Sequence, residues 1–230
     1  MPIVFVEDSD QPESIIPEPL LESKNLLLPE LKIEDVKALA DTLNHPTVLR
    51  RLGAPKSFKA HDYAKLLCTR HIGSKDFGIH IKETGILVGC IMIYPTPEPF
   101  RNLGVTGPAY SFGVWVKTGE QGKGIAREGL EAVLSRMFRK NPKLNFIHGS
   151  CFKTNKASIA LMQSLGFYQL TDVIYKDKTS ANFVIHRDHS TFNYDQHFSL
   201  RQDDKVVSPS TKQSATRARR NGIKVPRRTP

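Results

Sequence analysis

Gln121-Gly122-Lys123-Gly124-Ile125-Ala126 sets two glycines, a lysine and a glutamine directly ahead of an amphipathic run, with Gly119 three positions before Gly122. Residues of these types bind phosphate. Glycines let backbone N–H groups converge on an anion, and the first turn of a following helix adds a favourable dipole. Two familiar phosphate loops are excluded. The dinucleotide fingerprint G-x-G-x-x-G needs a third glycine at position 127, where Arg127 stands. The triphosphate loop G-x-x-x-x-G-K-[ST] matches the spacing of Gly119 and Gly124, but Ile125 and Ala126 replace its Lys and Ser/Thr. A cradle for some other phosphorylated ligand remains, and so does a tight turn that binds nothing.

Such a loop works only between a strand and a helix, and the flanking pattern predicts both. "YSFGVWV" reads as a strand, and Leu130, Val133, Leu134, Met137 and Phe138 form the apolar stripe of a helix lying on a sheet. "LNFIHGSCF" reads as the next strand. "NKASIALMQSL" reads as a short helix capped by Asn155 and stopped by Gly166. Upstream, a strand is expected over Leu26 to Leu31 and a helix over Glu34 to Leu43, then a second helix in "SFKAHDYAKLLCTRHIG" ending near His71. "FGIHIKETGILVGCIMIY" predicts two strands turning at Glu83-Thr84-Gly85, and a long loop follows from Pro95 to Pro108. The last strands, "FYQLTDVIYK" and "ANFVIHR", are expected to flank a turn at Lys178 to Ser180.

The 230 residues suffice for one core with tails, and the net charge of +10 is unevenly spread. Residues 1–23 are Pro-rich and carry six acids and no Lys or Arg, so they read as an arm. Residues 24–198 hold the periodic pattern of a domain, and 199–230 form a polar, basic tail without aromatics, expected to be disordered. Its two basic clusters suit a nucleic-acid or acidic partner, or a nuclear import signal, but offer no base stacking. No apolar run of membrane-spanning length and no signal-peptide pattern occurs, so an intracellular protein is expected, cytoplasmic or nuclear, with no membrane partner. Cys68, Cys90 and Cys151 are odd in number and far apart, which argues against a disulfide framework and against a metal site.

Gln121 through Ala126 fits Q/R-x-x-G-x-G/A, and Asn155-Lys156-Ala157-Ser158 is followed by Leu165-Gly166-Phe167. On these two motifs the chain resembles the GNAT superfamily of acetyl-CoA-dependent N-acetyltransferases, and in particular its ribosomal-protein acetyltransferase (RimJ/RimL-like) branch, over roughly residues 24 to 188. The resemblance implies an α/β fold: one domain with a mixed, mostly antiparallel sheet flanked by helices and disordered termini. It also implies acetyl-CoA as co-substrate and no metal. Backbone N–H groups near Trp115 and Val116 would polarise the thioester, and the loop of Gln121, Gly122, Lys123, Gly124, Ile125 and Ala126 would hold the pyrophosphate. Lys123 or Arg127 would reach the 3'-phosphate, and Asn155 and Ser158 would close the site.

Acetyl transfer to an amine needs a deprotonated nitrogen, alignment, a stabilised oxyanion and a proton for the departing thiolate. Many relatives carry a Glu base just before the strand's central glycine, where this chain has Ser111. The remaining base candidates are His148, Tyr110 and a water chain, with a purely structural role for His148 as the alternative. Ser158 is the family-like donor to the thiolate, and Tyr168 is a second candidate. Three readings follow: transfer to a protein or peptide α-amino group, transfer to a small-molecule amine, and an acyl-CoA-binding module without turnover.

Overall fold

The computed structural model describes residues 20–69, 75–96, 110–175 and 178–189. The expectations for residues 1–19, for most of the Pro95 to Pro108 loop and for the tail lie outside the described residues. The domain is a mixed α/β sheet with helices on both faces. Its strands are β1 (Leu26–Leu27), β2 (Lys75–Ile81), β3 (Leu87–Pro95), β4 (Tyr110–Val116), β5 (Phe146–Phe152), β6 (Tyr168–Gln169), β7 (Val173–Tyr175) and β8 (Lys178–His186), and its helices are α1 (Val36–Leu43), α2 (Pro46–Leu52), α3 (Ala60–Thr69), α4 (Ile125–Lys140) and α5 (Lys156–Ser164). The sheet runs β1-β2-β3-β4-β5-β8-β6, with β7 also on β8. Every described pairing is antiparallel except β4 with β5.

Side chains alternate along β4, so its two faces feed two cores. Phe112 and Val116 join Leu130, Val133, Leu134 and Phe138 of α4 in one core, and Trp115 joins Cys90, Met92 and the buried faces of α1 and α3 in the other. Trp115 Nε1 donates to Thr42 Oγ1 at 2.9 Å, which satisfies the indole where it is buried. The α4 stripe is the one the periodicity predicts, and the helix ends with Asn141 Nδ2 donating to Met137 O at 2.8 Å.

Three differences from the sequence reading have physical causes. The continuous first strand is only Leu26–Leu27, with Pro29, which has no N–H, interrupting it before an isolated bridge from Glu30 to Phe77, and the helix begins as a 3₁₀ turn over Ile33–Asp35 before α1. Helix α2 was not anticipated. It starts with Pro46 at its first position, His45 Nδ1 accepting from Thr47 N at 3.2 Å, and ends at Gly53 with φ of 66°. Lys178 to Ser180 is not a turn: Tyr175 pairs with Lys178 and Val173 with Ser180, so these residues open β8.

Leu20 to Ser23 already belong to the folded domain. Leu21 is buried, and Leu28 N donates to Leu21 O at 2.8 Å. Ser23 Oγ and the Asn25 backbone N–H donate to Glu128 Oε1 at 2.7 and 2.6 Å, and Asn25 Nδ2 donates to Oε2 at 2.9 Å. Burial pushes the Glu128 carboxyl up, but these donors outweigh it and hold the group below its ordinary value. A carboxyl depressed on folding adds stability above its unfolded pKa and loses it as pH falls through the folded one. Glu128→Gln is therefore expected to lower the melting temperature at pH 7 by an amount that shrinks as the pH is lowered, read by paired thermal melts.

Candidate active site

The ladder between β4 and β5 consists of Tyr110↔Ile147 and Ser111↔His148 and then stops. Beyond it β4 stays zipped to β3 as far as Gly89↔Val116, and β5 stays on β8 as far as Phe152↔Ser180. The sheet therefore parts between them, and the edge of β4 from Phe112 to Val116 borders a cleft of about 1150 Å³. An open strand edge is a row of donors and acceptors suited to an extended, amide-bearing ligand.

At the mouth of this cleft lies the glycine loop. Gly122 and Gly124 both have φ of 80°, and Ile125 begins α4 directly after. A left-handed turn directly ahead of a helix is the setting in which backbone N–H groups gather on an anion. A Cβ on Gly122 or Gly124 would meet no protein atom within 4 Å, so the space over the loop is open. Gln121 braces the loop: its Nε2 donates to Val116 O at 2.8 Å and its Oε1 accepts from Arg51 Nη1 at 2.9 Å. That brace ties α2 to the end of β4, a contact the sequence reading missed along with the helix itself.

Of the two cations expected at a 3'-phosphate, Arg127 lines the cleft and is 3.0 Å from Glu131. Lys123 is exposed, pairs with Glu120 at 2.8 Å, and is outside the lining. Asn155 and Ser158 line the opposite wall, where Asn155 Oδ1 accepts from Ser158 N at 3.3 Å and caps α5. Trp115, Val116, Gln121, Gly122, Gly124, Ile125 and Ala126 line the same cleft, so the structure brings nearly all of the expected binding residues together.

The base candidates separate. Tyr110 packs against the core beneath α4 and α5, on the opposite face from Ser111, and it is absent from the cleft wall. Tyr168 stacks on His186 at 5.5 Å between ring centroids and is likewise outside the wall. Ser111 itself lines the cleft, and His148 lies behind it, 3 % exposed. Ser111 Oγ is 3.0 Å from both His148 Nδ1 and Thr96 Oγ1, and His148 Nε2 is 3.3 Å from Asn182 Oδ1. Burial lowers the His148 pKa, which the hydrogen bond to Asn182 only partly opposes. Sequence reading found His148 but not its partners; the signal was the polar side chains spaced by two along otherwise apolar strands.

Cys151 also lines the cleft, but burial pushes its thiol up to about 11, which keeps it protonated and a poor nucleophile at neutral pH. Among the described residues no three His, Cys, Asp or Glu side chains gather as a metal site, and no helix is long and apolar enough to cross a membrane.

A family model described as acetyltransferase (GNAT) domain matches residues 25–168. No curated protein sequence matches the chain. Among solved structures, a GNAT-family acetyltransferase from Bacillus anthracis aligns with a TM-score of 0.60 at 17 % identity, covering 74 % of this chain and 99 % of that one. The ribosomal-protein-S5-alanine acetyltransferase from Vibrio fischeri aligns with a TM-score of 0.60 at 17 % identity, covering 74 % and 98 %. The aminoglycoside acetyltransferase AAC(6')-Ib, in complex with paromomycin and acetyl-CoA, aligns with a TM-score of 0.61 at 14 % identity, covering 72 % and 96 %. At such identities the likeness is one of fold.

Proposed function

The chain belongs to the GNAT acetyltransferase family, and from that premise we propose that it transfers the acetyl group of acetyl-CoA to the α-amino group of a protein or peptide by direct attack. The observation that carries this reading is the parting of β4 from β5 beyond Ser111, with the glycine loop at its mouth. Pantetheine lies along the open edge of β4, and a backbone N–H near Trp115 and Val116 polarises the thioester carbonyl. The N–H groups of Gly122 to Ala126 take the pyrophosphate, with Arg127 beside them. Lys123 serves the 3'-phosphate only by leaving Glu120. Ser158, on the far wall, protonates the departing thiolate.

The character of the acceptor side favours an α-amine over a polycation. Among its lining residues the cleft has Phe58, Tyr63, Met92, Tyr94 and Phe152, and Glu120, paired with Lys123 beside the glycine loop, is the carboxylate of the described lining. A polyamine or aminoglycoside carries several charges that such a wall leaves unpaired. An α-amino group, with a pKa of about 7.7–8.0 against about 10.4 for lysine, arrives with one charge and sheds it easily. Thiol release from acetyl-CoA tests this with two sets of acceptors, short peptides with free N-termini and aminoglycosides or polyamines. Turnover with the peptides is the expected result; turnover with the polycations alone would move the assignment to small-molecule acetylation.

A further inference from the structure

We infer that Ser111 is the group that receives the proton of the attacking amine and relays its own to His148 Nδ1, in place of the carboxylate that many relatives carry at this strand position. The inference rests on the acetyl-transfer reading and deepens it. Its basis is a chain of hydrogen bonds that runs from Asn182 through His148 to Ser111. Asn182 Nδ2 donates to Thr171 O and to Ser180 O, both at 3.1 Å, which fixes its amide and turns Oδ1 to the imidazole. An amide oxygen only accepts, so His148 Nε2 carries the ring proton and Nδ1 offers a lone pair. Ser111 Oγ–H has two acceptors at 3.0 Å, that lone pair and Thr96 Oγ1, and the relay uses the first.

The relay has one end in the cleft and one in the core. Ser111 lines the cleft although only 3 % exposed, and His148 and Asn182 behind it are 3 % and 0 % exposed. On this face the titratable and charged side chains of the described elements include Tyr63 and Cys68 on α3, Asp76 on β2, Cys90 and Tyr94 on β3, Tyr168 on β6, and Lys178 and His186 on β8. Burial makes imidazolium costly, so His148 is neutral at pH 7.

In the step itself the amine nitrogen bonds to the thioester carbon, and the carbonyl electron pair moves to oxygen. The nitrogen, now cationic and acidic, gives its proton to Ser111 Oγ as the Ser111 proton passes to His148 Nδ1. Collapse breaks the C–S bond, the thiolate takes a proton from Ser158, and His148 returns its proton through Ser111 to solvent, which reprotonates Ser158. Ser111 touches the substrate; His148 and Asn182 position and hold the proton behind it.

The test compares Ser111→Ala, His148→Gln and the double variant with the wild type, using the best acceptor from the peptide panel. Each single change is expected to lower kcat by about 100-fold, with KM for the peptide and affinity for acetyl-CoA little changed. The double variant should be no slower than either single, because the two groups act as a unit. The acid limb of the kcat profile, which lies below pH ~6.5 in the wild type, should vanish in His148→Gln. Independently of turnover, nitrogen NMR of histidine-labelled wild type should show the His148 proton on Nε2. Near-wild-type kcat in Ser111→Ala, multiplicative losses in the double variant, or a proton on Nδ1 would each overturn the relay. So would an acetyl adduct on Ser111 after mixing with acetyl-CoA alone, which would make it a nucleophile. If no amine releases thiol, the transfer reading fails, and the NMR result still decides the hydrogen-bond chain.

Discussion

Replacing Gly124 by valine is expected to weaken acetyl-CoA binding by about 100-fold or more while leaving the domain folded. The two effects have separate origins. A side chain at φ of 80° is strained by about 1–2 kcal/mol, which lowers the melting temperature by a few degrees. No protein atom lies within 4 Å of the added Cβ, so no clash adds to that cost. The side chain instead fills the open space over the cradle, where the pyrophosphate would sit, and its strain pulls the loop N–H groups off target. Each hydrogen bond to a charged group contributes about 1.5–3 kcal/mol, so losing two accounts for a factor of about 100 or more. Calorimetric titration with CoA reads the loss, and a thermal melt of the same sample reads the fold. An unchanged affinity would show that the loop is only a turn.

The largest effect on stability is expected from Phe138→Ala. Phe138 is 0 % exposed at the base of the α4 stripe, and the Arg187 guanidinium lies over its ring at 5.3 Å. Truncating a buried phenylalanine costs about 3–5 kcal/mol through lost transfer energy and the cavity left behind. For a domain of this size that is a fall of about 6–20 °C in melting temperature. The side chain is on the α4 core, away from the cleft wall. Below its melting point the variant should therefore bind CoA as the wild type does. A stable variant with weakened CoA binding would mean that α4 is held in place by the ligand site rather than by its core.

What the sequence disclosed, and what it hid, follows the range of the interactions involved. "YSFGVWV" reads as a strand because its alternation and β-branched residues are local, and it forms β4 over the same residues, Tyr110–Val116. The α4 stripe and the Asn155 cap of α5 are local for the same reason. Helix α2 carries its start and stop signals, Pro46 and Gly53, but its seven residues are too few for periodicity to speak. The last hairpin lacks a glycine to mark its turn, and only the register of β7 on β8 places it. Ser111 illustrates the limit best. Its residue type announced a missing carboxylate, but its alignment with His148 comes from a parallel pair 37 residues apart, and the amide that orients the imidazole comes from a third strand. Tyr110 was a candidate by proximity in sequence to Ser111, and the pleat of β4 turns it to the other face.

The central claim is transfer of acetyl to an α-amino group, and locating the acetyl group on a product measures it most directly. Peptides with both a free N-terminus and an internal lysine, incubated with the full chain and acetyl-CoA, are fragmented and weighed by mass spectrometry while released thiol is counted. The account predicts one acetyl group per thiol released, carried on the α-nitrogen and absent from peptides whose N-terminus is blocked. Acetylation of the lysine side chain in blocked and free peptides alike, or CoA bound without thiol release from any peptide, would contradict it.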